Sequence, residues 1–138
     1  MTSFTDLHIM AEMLGVQIVR HDGGVPGYYH HPTRTISTRR GMSARQYRST
    51  LAHELGHATY RDTPQPNGHY TRRQEARADR FAARLLITME AFQDAHAWCG
   101  DHLPSVAEEL EVNQSILKTW IEQHKKEAEQ WEFSSSSH

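Results

Sequence analysis

Apolar residues at Leu7, Met10, Ala11 and Leu14 recur with the spacing of a helix. Thr5 or Asp6 is placed to cap that helix and Gly15 to end it. Val16 to Val19 then reads as a short strand. Asp22-Gly23-Gly24, with Pro26 and Gly27 close behind, is a turn signal. Tyr28, Tyr29, Thr35 and Ile36 favour extended chain, joined through His31-Pro32-Thr33-Arg34. Residues 16–39 are therefore expected to form a small antiparallel sheet of two or three strands. Such a sheet is marginal alone and needs a helix to lie against.

Arg45 to Tyr60 reads as a second helix, with Ser43 as its cap and Tyr47, Leu51, Leu55 and Ala58 along one side. Residues 62–69 hold two prolines, an asparagine and a glycine, and form a loop. Arg72 to Glu90 reads as one long third helix, striped by Ala78, Phe81, Leu85 and Met89. Ser105 to Glu108 fits a capping box, followed by a short helix Val106 to Leu110. Glu111-Val112-Asn113 is a turn, and Gln114 to about Glu122 a further helix. That spacing allows a hairpin like a helix-turn-helix. The expected fold is α+β: a small antiparallel sheet on one principal helix, with a helical C-terminal tail. The chain divides into a body over 1–100, a helical extension over 101–126 and a flexible tail over 127–138.

Composition narrows the classes. The 138 residues suit one domain with a small appendage, too short for a TIM barrel. One cysteine, Cys99, excludes an internal disulfide framework. A net charge of −2 offers no global attraction for nucleic acid. Met1 to Asp6 has no signal-peptide pattern and no stretch suits a membrane helix, so a cytoplasmic location is expected. The odd feature is 11 histidines.

Two of these stand in His53-Glu54-Leu55-Gly56-His57, an H-E-x-x-H motif. At this composition chance supplies only about 0.07 such matches in a chain of this length. On a helix, His53 and His57 lie one turn apart on one face, so both imidazoles can meet one metal ion. Glu54 lies beside them and can take the proton of a metal-bound water. A third protein ligand is required if the fourth position is water. Six residues past His57, where a metzincin has its third ligand, stands Thr63, so that class is excluded. Glu75, 18 residues past His57 on the next helix, is the better candidate, with His69 as runner-up. Asp79, one turn further, can orient His53 through its ring N–H. An exposed acidic pair among the arginines of this helix is the bland alternative for both carboxylates.

Leu51-Ala-His53-Glu-Leu-Gly-His57-Ala and Glu75-Ala-Arg-Ala-Asp79-Arg-Phe81-Ala-Ala-Arg-Leu-Leu86, in that order, resemble the ImmA/IrrE family of metallopeptidases. The resemblance covers about Leu7 to Ile87 and extends more weakly to Gln123. It implies a minimal zincin-like domain, with His53, His57 and Glu75 holding the metal and Glu54 catalytic. Asp79 falls where the family has Asn or Asp. The resemblance also implies a regulatory setting in a phage or mobile element, and a protein substrate of the helix-turn-helix repressor class. One departure is Ile87-Thr88-Met89, where relatives often have Met-Pro; the third helix is expected to run on there. The loop from Arg61 to Tyr70 is short.

The expected function is therefore a zinc-dependent endopeptidase, with manganese as the other metal that two imidazoles and a carboxylate suit. His69, Tyr70 and Tyr28 are candidate donors to the oxyanion. Strand Thr35 to Thr38 is a candidate for pairing with extended substrate. The competing reading is a regulatory protein that binds and inactivates a repressor without cutting, its metal structural. Direct DNA binding through residues 105–123 is disfavoured by Glu108, Glu109, Glu111 and Glu122.

Overall fold

The computed structural model describes the backbone of residues 2–136 and the side chains of residues 2–126. The tail assigned to 127–138 lies outside the residues whose side chains are described. Helix α1 spans Phe4–Met13, α2 Ala44–Thr59, α3 Arg72–Leu86, α4 Met89–Cys99, α5 Leu103–Glu109 and α6 Gln114–Ser136. Strands β1 (Gln17–His21), β2 (Gly27–His30) and β3 (Thr35–Arg39) form one sheet in the order β1-β3-β2. The fold is α+β, a small sheet laid against helices.

The sheet departs from the expected antiparallel arrangement. β2 and β3 do pair antiparallel, but β1 joins β3 in parallel, with Gln17 opposite Thr35 and His21 opposite Arg39. The turn after Asp22 carries the chain past the place of β3 to the far edge, and β3 then returns into the gap. β3 is thus central, with both edges paired, and cannot bind substrate by edge pairing as Thr35 to Thr38 was expected to. The open edge beside α2 belongs to β2.

Helix ends also shifted for local reasons. Ser3 caps α1, two or three residues earlier than expected, in a reciprocal capping box with Asp6. His102 caps α5 in place of Ser105, its ring accepting from the Ser105 N–H. The third helix does not run on to Glu90. Ile87 turns extended (φ −121°, ψ 120°), and Thr88 caps a separate helix by accepting from Ala91 N–H. Two β-branched residues make that break local, and the Trp120 indole holds it by donating to the Ile87 carbonyl at 3.1 Å.

Leu7, Ile36, Leu51, Leu55, Leu86, Val112, Leu117 and Trp120 share one buried cluster, so α5 and α6 pack into the same core as the sheet and α2. Two close approaches set the site. α3 crosses α2 at Gly56, where a Cβ would sit 3.0 Å from the Ala78 Cα. β2 meets α2 at Gly27, where a Cβ would lie 2.6 Å from the Thr50 γ-methyl and 3.4 Å from Glu54 Cγ. Either side chain would push apart the elements that build the cleft. Among the described residues, no helix is long and apolar enough to cross a membrane.

Candidate active site

Ser43 starts α2 by accepting from the Gln46 N–H, and the helix then carries His53 and His57 one turn apart with ring centroids 4.8 Å apart. Thr71 and Gln74 form a capping box that starts α3 and places Glu75 in its first turn. The crossing at Gly56 brings that turn over the histidines. Glu75 Oε1 lies 3.3 Å from His53 Nε2 and 2.7 Å from His57 Nε2. One ligand atom from each of the three residues lies within 4.8 Å of the others.

The far side of each ring is held by a carboxylate. His53 Nδ1–H donates to Asp79 Oδ1 at 2.8 Å, and His57 Nδ1–H to Asp62 Oδ2 at 2.9 Å. With Nδ1 as the donor to these carboxylates, Nε2 of each ring is the atom that faces Glu75, and it must give up its proton for a metal to bind there. Asp62 was absent from the sequence reading. It is a buried loop residue, 3% exposed, and its other oxygen accepts from Arg77, whose guanidinium lies 4.2 Å over the Tyr60 ring. The only available signal was an acidic residue just past the motif helix; its burial depends on α3 supplying Arg77.

Tyr70 is brought to the site. Its ring stacks on His57 with centroids 3.8 Å apart and planes 11° apart, and its hydroxyl donates to the Tyr29 carbonyl at 3.1 Å. Burial pushes this hydroxyl above its ordinary pKa, and the carboxylates of Glu54, Asp62 and Glu75 add to that, so it stays protonated and able to donate. Tyr28 points to the other side of β2, half exposed and stacked on His21. His69 is exposed on the loop, its backbone N–H bonded to Asn67 Oδ1.

Glu54 is 6% exposed, and its Oε1 is buried with no hydrogen-bond partner. Burial raises its pKa to about 7; the nearby His53 charge pulls down and Glu75 pushes further up. Burial alone lowers the pKa of His53, but the hydrogen bond to Asp79 and the charges of Glu54, Asp79 and Glu75 outweigh it and raise the value to about 9. A metal ion must displace such protons, so loading releases them and weakens as pH falls.

These residues fit a divalent cation. Two imidazole nitrogens and one carboxylate oxygen converge, a set of three protein ligands that would leave one position of a tetrahedral ion for water or substrate. Glu54, with its Oε1 unpartnered, lines the same cleft as His53 without belonging to the ligand group. Asp62→Asn is expected to weaken metal binding about tenfold to a hundredfold, because the His57 orientation loses its charged acceptor. Competition against a chromophoric chelator measures this, and wild-type affinity would show that Asp62 serves only the Arg77 ion pair.

A family model described as the IrrE N-terminal-like domain, Peptidase_M78, matches residues 11–130. No curated protein matches the chain.

Proposed function

The chain belongs to the IrrE N-terminal-like peptidase family, and on that premise we propose a zinc endopeptidase that cleaves a repressor of the helix-turn-helix class. That it is a metal-dependent peptidase follows from the family and from the His53, His57 and Glu75 cluster. Zinc is the finer step, supported by a donor set of two imidazoles and one carboxylate with an open position; manganese suits the same set less well. The repressor is supported by the family's association with regulatory proteins. A repressor substrate implies work in the cytoplasm.

A bound ion would supply a Lewis acid to the peptide carbonyl and to the attacking water. His53, His57 and Glu75 would hold it, with Asp79 and Asp62 orienting the two imidazoles. Glu54 takes the proton of the attacking water at its free carboxylate oxygen. It then returns that proton to the leaving amine. Burial raises the Glu54 carboxyl to about 7 in the metal-free site, so its environment favours holding a proton far more than an exposed carboxylate would. Of the three candidate oxyanion donors, only Tyr70 lies against a ligand, and it takes that role by turning its single O–H from the Tyr29 carbonyl to the oxyanion.

The carrying observation is the convergence of His53, His57 and Glu75 beside a buried, unpartnered Glu54. The test incubates the zinc-loaded protein with the helix-turn-helix repressor encoded nearest to it and reads intact masses. Two complementary fragments, absent after chelation, are expected. Release of intact repressor from its operator would instead favour the non-cleaving regulator, and an untouched repressor would remove that substrate class.

A further inference from the structure

Beside the ligands, on the Gly27 side of Glu54, lies a cavity of about 210 Å³. Its floor comes from α2 through Thr50 and Glu54, and one side from Gly27 of β2. The opposite wall is the start of α6, through Asn113, Ser115 and Ile116. That wall is fastened to α2. Asn113 N–H donates to Ser49 Oγ at 2.9 Å. The buried Arg48 guanidinium donates to the carbonyls of Leu110 and Glu111 at 3.0 and 2.8 Å, and to that of Thr2 at 3.0 Å. The C-terminal helices are thus part of the cleft, held at a fixed distance from the ligands.

The direction of a bound peptide follows from β2. Arg39 N–H donates to the Pro26 carbonyl, so Pro26 and Tyr28 face β3 while Gly27 and Tyr29 face the open edge. The Tyr29 carbonyl takes the Tyr70 hydroxyl at that edge, beside His57. A peptide paired antiparallel to β2, the more stable sense, runs from Tyr29 toward Gly27. Residues that pass the ligand group therefore reach the cavity on the C-terminal side of the scissile bond.

On the peptidase reading, we propose that this cavity is the subsite for the side chain that follows the scissile bond. It takes a long side chain ending in a hydrogen-bond donor, Gln, Lys or Arg, and turns away acidic ones. The acceptors are the Asp79 carboxylate, the Asn113 amide oxygen and the Ser115 and Thr50 hydroxyls, while Ile116 and Pro26 supply apolar surface for the methylenes. No Lys or Arg lines the cavity. An acidic side chain would meet the carboxylates of Glu54 and Asp79, while His53, the one basic side chain in the lining, already donates its Nδ1–H to Asp79.

A peptide library digested by the zinc-loaded protein, with cleavage points read by mass spectrometry, tests this. The expected result is enrichment of Gln, Lys and Arg, and depletion of Asp and Glu, just after the cut bond. Ser115 is exposed at the start of α6, so Ser115→Lys should fold; Asn113→Asp keeps the shape and adds a carboxylate. Ser115→Lys should lower the Lys-to-Glu cleavage ratio about fivefold and Asn113→Asp should raise it by a similar factor, the size of one partly exposed charge pair. Cleavage with no preference at that position, or ratios unmoved by both variants, overturns the subsite and leaves the peptidase reading standing. No metal-dependent cleavage of any peptide or protein overturns the peptidase reading and the subsite together.

Discussion

Glu54→Gln is expected to lower kcat/KM by about 10²- to 10⁴-fold, the usual contribution of a positioned acid–base group. Metal content should stay at the wild-type level, because Glu54 is not among the three converging ligands. Gln preserves the volume of a side chain that is 6% exposed, so packing against Gly27 is kept. What disappears is a group that can hold a proton between two steps. An amide cannot accept one at neutral pH, and the buried Oε1 has no hydrogen-bond partner to relay a proton through. Steady-state cleavage with metal analysis of the same sample separates the two effects. Turnover within a few-fold of wild type would remove Glu54 from the chemistry, while lost metal would move it into the ligand set.

Glu75→Gln is expected to leave the purified chain with well under one equivalent of metal and correspondingly little activity. Two imidazoles alone do not make a closed binding set, and the lost charge is the anionic member of the trio. The side chain is half exposed, so the substitution costs little packing and the thermal midpoint of the metal-free protein should barely move. Elemental analysis after gel filtration gives the stoichiometry. A full equivalent in this variant would require another ligand in place of Glu75. The exposed His69 would then be the next residue to replace.

The site divides by how far apart its parts are in sequence. His53, Glu54 and His57 are legible because one helical turn relates them, and Ser43 with the apolar side of α2 marks that helix. Glu75 and Asp79 lie on a second helix, where their spacing from His57 favours Glu75 over His69 and the family resemblance points the same way. Asp62 had no periodic signal. It matters because the loop folds back at Arg61 (φ 54°), donates from its own N–H to the His57 carbonyl, and meets Arg77 from α3. The same holds for the cleft wall: Arg48 carries no sequence signal for burial, yet it is buried among carbonyls more than 40 residues away.

By itself the sequence determined what short-range forces decide: where α2 starts, which face of it is apolar, that two imidazoles share a face, and that the chain carries the chemistry of a metallopeptidase. Tertiary structure decided the rest. The parallel pairing of β1 with β3 left β2 as the edge strand beside α2, because a strand's partner depends on which hydrophobic face is covered and not on its own alternation. The break at Ile87 and the docking of the α5–α6 turn depend on Trp120 and Arg48 finding carbonyls distant in sequence. Such contacts are set by the burial of polar groups that must be satisfied. That condition acts only once the core has closed.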